Sequence, residues 1–209
     1  MKFMDENFLL ETKSARRLYH DVAKNLPIID YHCHLSPAEI ASDKRFKTIT
    51  EAWLGGDHYK WRLMRIFGID ESLITGPGDD FEKFRAYAQT LETAIGNPLY
   101  HWSHLEMQRF FGIDEPLTAK NARAIYDSMN QTLASPGFSA RGFIERSNVA
   151  QICTTDDPTD TLSSHDEVAK NPVKNCSVRP TFRPDRALLI EKPDFADYMA
   201  LLGKAAGRE

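Results

Sequence analysis

Ile28-Ile29-Asp30-Tyr31-His32-Cys33-His34-Leu35, followed at once by Ser36-Pro37-Ala38-Glu39, is the stretch on which the fold reading turns. The first eight residues are a compact apolar run, partly β-branched and bounded by Pro27 and Ser36-Pro37, which predicts a short buried strand. The next four place a cap residue, a proline at the first helical position and a Glu three residues after the cap, the pattern of a capping box. Strand side chains alternate faces, so His32 and His34 point one way and Cys33 the other. Two imidazoles one pleat apart can converge on one metal at about 2 Å. The alternative is two ordinary half-buried histidines, since HxH alone is a short motif with many chance matches. Position favours the metal: the pair ends an apolar strand just before a helix, where burying two unpaired imidazoles would be costly. Cys33 reads as a small core residue.

Working outward, Ala15, Leu18, Tyr19, Val22 and Ala23 recur at helical spacing, and Pro27 stops that helix near Asn25. Downstream, no strand is expected before about Asn148. Helices are predicted over 59–67, 81–95 and 98–111, ending at Gly68, Gly96 and Gly112, where a left-handed C-terminal cap favours glycine. Two more span 118–134 and 139–146. Strand character returns over 149–155, and a polar helical segment contains His165 to Lys170. Residues 177–182 form a third strand candidate, weakened by Pro180, which cannot donate to a ladder. Phe195, Tyr198, Met199 and Leu202 close the chain at helical spacing. Strand, helices, strand, helix, strand, helix is a parallel α/β order.

The 209 residues carry a net charge of −4, with 27% charged and 42% hydrophobic residues. That is the balance of a soluble globular chain, and no basic block suggests nucleic acid or an anionic membrane as a partner. Cys33, Cys153 and Cys176 are an odd number at wide spacing without a CxxC, so a reducing compartment is expected. The N-terminal segment lacks a secretory apolar run and nothing reaches the ~20 apolar residues of a membrane helix, so the cytoplasm is the expected location.

Other residues could carry chemistry. Arg183 follows a strand and is held extended by Pro184; a guanidinium can grip a carboxylate through two parallel hydrogen bonds, or Arg183 is a surface arginine paired with Asp185. His58 and Tyr59, in Gly55-Gly56-Asp57-His58-Tyr59-Lys60-Trp61-Arg62, could reach substrate oxygens from a loop. Otherwise they start a helix capped by Asp57, with Tyr59 and Trp61 packing inward. His101, Trp102 and His104 read as packing and capping groups on a helix. Asp156 and Asp157 could orient a histidine or bind substrate, or cap a helix before Pro158.

Taken in order, residues 8–35 (FLLETKSARRLYHDVAKNLPIIDYHCHL), GGDHYKWRLMR, IGNPLYHWSHLE, FSARGF, CTTDDPTD and RPTFRPD resemble uronate isomerase, also called glucuronate isomerase, of the amidohydrolase-like metal enzymes. The resemblance implies part of a distorted (β/α)8 barrel with a large helical insertion after strand one. Residues 1–35 would then be the N-terminal helix and first strand, 36–148 the insertion, and 149–209 the second and third strands with their helices, one incomplete domain. It implies conversion of D-glucuronate to D-fructuronate and of D-galacturonate to D-tagaturonate. His32 and His34 would ligate a divalent metal, zinc being the expected ion. Arg183 would hold the substrate carboxylate, and His58 and Tyr59 would contact the sugar near the reacting carbons as substrate-binding and catalytic groups. The partner is a small uronate sugar, with homo-oligomerisation left open. The family's later strands supply a metal-binding aspartate, a further arginine and another histidine, none of which is present here. A fragment or truncated product is therefore expected, inactive alone. A metal-dependent hydrolase of the same superfamily and a non-catalytic product are the competing readings.

Overall fold

The computed structural model describes residues 4–208. In chain order the elements are α1 (Lys13–Asp21), β1 (Ile28–Asp30), α2 (Pro37–Ala41), α3 (Ile49–Leu54), α4 (His58–Ile66), α5 (Asp80–Thr93), α6 (Pro98–Phe111), α7 (Ala122–Leu133), α8 (Ala140–Arg146), β2 (Val149–Asp156), α9 (Ser163–Lys170), β3 (Ser177–Phe182), α10 (Asp185–Leu188) and α11 (Phe195–Ala205). Among the described residues no strand lies between β1 and β2, as the sequence led us to expect. The chain forms two compact units, a helical one (Met1–Asn25 and Arg45–Phe138) and an α/β one (Leu26–Lys44 and Ser139–Glu209).

In the helical unit, α5 supplies the centre of the core. Phe84, Tyr87, Ala88 and Leu91 are fully buried along it, against Trp53, Met107, Ile125 and Met129. Trp53 and Phe84 stack with ring centroids 5.9 Å apart, and Phe81 meets Tyr126 edge-on at 5.4 Å. Each such large side chain stabilises the fold by about 1.5–3 kcal/mol when buried. Asp79 starts α5 by accepting from the Phe81 and Glu82 amides at 2.9 and 3.1 Å. At the far end of α6, Gly112 takes the left-handed conformation (φ +69°) that a side chain would strain. A variant of the capping box opens α3: the Thr48 hydroxyl accepts from Glu51 N at 3.1 Å, while the Glu51 carboxylate accepts from Lys47 N, one residue before the cap, at 2.7 Å. At α2, by contrast, Ser36 makes no side-chain cap bond and Glu39 pairs instead with Lys44 at 2.7 Å. The capping box expected at Ser36–Glu39 is therefore absent, because a basic partner competes for its carboxylate.

The α/β unit is built on a parallel sheet in the order β1-β2-β3. Ile152 and Val178 face a core of Ile40, Ile144, Val168, Val173 and Cys176, supplied by α2, α8, α9 and the approach to β3. The expected strand over 28–35 is cut back. Its ladder covers only Ile28–Asp30, with a register shift between Ile28 and Ile29, and Ile29 and Tyr31 are 63% and 81% exposed. Among the described residues β1 pairs on one side only, with β2, so little of this chain covers it. One further rung, Cys33 N to Cys153 O at 3.0 Å, keeps the segment beside β2. Pro180 is accommodated by phase. Thr181 and Arg183 turn their N–H groups towards β2, reaching Asp156 Oδ2 and Asp156 O, so Pro180 turns its missing donor to the outer edge. Among the described residues, no helix is long and apolar enough to cross a membrane.

His104 shows what the helical unit does with a buried titratable group. It is 3% exposed; Nδ1 donates to Tyr100 O at 2.6 Å and Nε2 accepts from Leu117 N at 2.9 Å. This fixes the neutral tautomer, and burial holds the imidazole below its ordinary pKa, with the Tyr100 carbonyl pulling partly back. Because the folded value lies below the unfolded value of about 6.5, the stabilisation is present above that pH and lost as pH falls through the folded pKa. Urea unfolding between pH 7 and pH 5 should therefore show stability falling with acid, this group contributing no more than about 1.4 kcal/mol per pH unit. In His104→Gln that acid-side loss should shrink; identical pH slopes for the two proteins would refute the assignment.

Candidate active site

In a parallel sheet the C-terminal ends of all strands lie at one edge. His32 and His34 follow β1 there, and Arg183 follows β3. Their anchor points are two strand spacings apart, about 10 Å. The two imidazoles share a side: their Nε2 atoms are 3.1 Å apart and their rings meet edge-on at 5.0 Å. Cys33 points the other way and packs against the Ile152 core, accepting from Leu35 N at 3.4 Å. Burial pushes the Cys33 thiol above its ordinary pKa, so it remains a protonated core group. The histidines themselves are exposed rather than half-buried, which removes burial cost as an argument for a ligand and leaves geometry in its place. Nitrogens bound to one metal at about 2.1 Å lie about 3.0 Å apart at adjacent octahedral positions and about 3.4 Å apart at tetrahedral ones. The observed 3.1 Å lies between these values, so the pair fits two adjacent coordination positions. Among the described residues no group of three or more His, Cys, Asp and Glu gathers to complete a sphere.

Arg183 makes the surface pair that is one of its two sequence readings. Its Nε donates to Asp185 Oδ2 at 2.6 Å, the surface pair that local sequence favours. Among the described residues, the side-chain contact of Arg183 is made through Nε. His58 and Tyr59 lie on the helical unit, in the first turn of α4, with ring centroids 4.3 Å apart. Asp57 caps that helix as expected, accepting from Tyr59 N at 2.9 Å and Lys60 N at 3.1 Å. Trp61 packs inward, donating to Leu54 O at 2.7 Å, but Tyr59 is exposed rather than buried, because N2 of α4 faces solvent. Asp156 and Asp157 separate in role. Asp157 accepts from Thr159 N and from the Tyr198 hydroxyl. Asp156 is buried beside Thr154 and His165, on the side of the sheet packed by α9. His165 escapes sequence reading: it lies nine residues beyond Asp156 on another element, and no spacing rule connects them.

The parallel α/β scaffold thus presents a histidine pair and an arginine at the same end of its strands. Comparison with known proteins supplies the family. The glucuronate isomerase family model matches residues 1–209, and the chain belongs to that family. A uronate isomerase of Lachnoclostridium phytofermentans is 55% identical over 205 residues, covering 98% of this chain and 44% of the relative. One from Clostridium acetobutylicum is also 55% identical, over 204 residues, with the same shares. Among solved structures, a uronate isomerase from Thermotoga maritima superposes with a TM-score of 0.92 at 35% identity, over 100% of this chain and 46% of that one. A glucuronate isomerase from Caulobacter crescentus gives 0.84 at 27% identity, over 92% and 41%. The chain thus spans less than half the length of the relatives it matches.

The metal assignment has a direct check. In a full-length enzyme carrying these 209 residues, changing both His32 and His34 to Ala should abolish bound divalent metal by elemental analysis. Unchanged stoichiometry would sink the assignment.

Proposed function

We propose that these residues form the N-terminal part of a uronate isomerase that interconverts D-glucuronate with D-fructuronate and D-galacturonate with D-tagaturonate. The observation that carries the reading is the placement of the 3.1 Å His32–His34 nitrogen pair and the Arg183 guanidinium at one end of one sheet. An open-chain sugar acid has two ends to be held, the reacting C1–C2 pair and the distant carboxylate. Isomerisation takes a proton from C2, returns one at C1, and develops enediolate charge on the two oxygens. His32 and His34 would hold a divalent metal, with zinc the expected ion; when bound, it supplies Lewis-acid stabilisation of that charge. Arg183 would take the carboxylate with Nη1 and Nη2 while Asp185 fixes Nε, so that binding energy orients the reacting carbons. The remaining metal ligand and the proton-transferring base come from outside this set of residues. Under the same reading β1, β2 and β3 are the first strands of a distorted (β/α)8 barrel, and the helices between β1 and β2 are an insertion. Three free cysteines suit a reducing cytoplasm.

Kinetics of the full-length enzyme test the carboxylate role. Arg183→Ala should lower kcat/KM for glucuronate about 100-fold, and Arg183→Lys should recover only part, since an ammonium cannot bind bidentately. Wild-type kinetics in Arg183→Ala would reduce the Arg183–Asp185 pair to a surface contact. A second test uses the 209 residues alone, supplied with zinc or manganese. No ketose product should form, because two histidines fall short of the three protein ligands usual at a catalytic zinc. Metal-dependent turnover by a monodisperse sample would overturn that expectation.

A further inference from the structure

Asp156 is a carboxylate only 6% exposed, on the opposite side of the sheet from the histidine pair, and no step above uses it. A buried carboxylate is costly unless several donors meet it. Here Thr154 Oγ1 donates to Oδ2 at 2.7 Å, Thr181 N donates to Oδ2 at 3.1 Å, and His165 Nε2 lies 3.7 Å from Oδ1. His165 Nε2 also meets Thr154 Oγ1 at 2.9 Å, so the threonine hydroxyl, which lies 3.2 Å from Arg179 O as well, links the imidazole to the carboxylate. The backbone carbonyl of Asp156 accepts from Arg183 N at 3.0 Å. One residue thus receives two successive β2-facing N–H groups from the end of β3, one through its side chain and one through its main chain. These bracket Phe182, and the second belongs to Arg183 itself. The clamp sits where the ladder to β2 ends: Pro184, which cannot donate to a further rung, follows Arg183 directly.

We propose that Asp156, held by Thr154 and His165, is a positioning residue that sets Arg183 for the substrate carboxylate. The inference rests on the carboxylate reading of Arg183 and extends it to a residue that never touches substrate. With the clamp loosened, the guanidinium samples more directions, and binding of the charged end weakens more than the chemical step.

A double-mutant cycle in the full-length enzyme tests it. Asp156→Asn should raise KM for glucuronate about tenfold with kcat changed less than about twofold, and should add nothing once Arg183 is Ala. Thr154→Val, which keeps the shape but removes the hydroxyl, should reproduce the KM effect where Asp156→Asn proves unstable, and Thr154→Ser should restore wild-type KM. Effects of Asp156 and Arg183 that multiply independently, or an equal fall in kcat and stability without a KM change, would overturn the positioning role while leaving the carboxylate reading intact. If Arg183→Ala itself leaves KM unchanged, both fall together.

Discussion

The parallel ladder from Val149 to Asp156 is the constraint on which the α/β unit depends. β2 is the strand with a partner on each side, and it carries both apolar contacts and polar ones. Ile152 anchors the helices α2, α8 and α9 on one face. The carbonyl of Cys153 reaches across to Cys33 and holds the segment that bears the two histidines. Its last residue, Asp156, receives the end of β3. Displacing β2 by one residue would exchange its faces, turning Ile152, Thr154 and Asp156 away from α9 and bringing Gln151, Cys153 and Thr155 in their place.

The helical unit works on a different principle. Its order comes from side chains that satisfy backbone groups at helix ends: Asp57, Asp79, Asn97 and Thr48 each accept amide protons that a helix start leaves unpaired. No buried side-chain nitrogen or oxygen among the described residues lacks a hydrogen-bond partner. Tyr87 illustrates the accounting, its hydroxyl meeting Ser103 Oγ at 2.8 Å inside an otherwise apolar core.

Much of this architecture was legible in the chain because local chemistry determined it. Gly68, Gly96 and Gly112 all take positive φ, as helix ends of that kind require. The third strand matched residue by residue, its proline tolerated because the donor it lacks faces away from β2. Where reading failed, a distant partner decided the outcome. Ser36–Glu39 and Thr48–Glu51 present the same local pattern, yet Lys44 captures the first glutamate and only the second turns back to the amides ahead of its helix. The apolar character of Ile28 and Ile29 suggested burial, but within these residues β2 is their one strand partner and they are 48% and 63% exposed. For the candidate site, the same-side relation of His32 and His34 follows from strand periodicity and was visible at once. The engagement of Arg183 by Asp185 was visible as an alternative. The meeting of Asp156 with His165 depends on how α9 folds back over β2, which no window of sequence encodes.

Pro180 has one more effect. By turning its missing N–H outward, it removes one donor from the outer margin of β3, so any strand that pairs there forgoes a hydrogen bond midway along its length. A single imino acid thus leaves the inward register undisturbed while thinning the outward ladder by one rung.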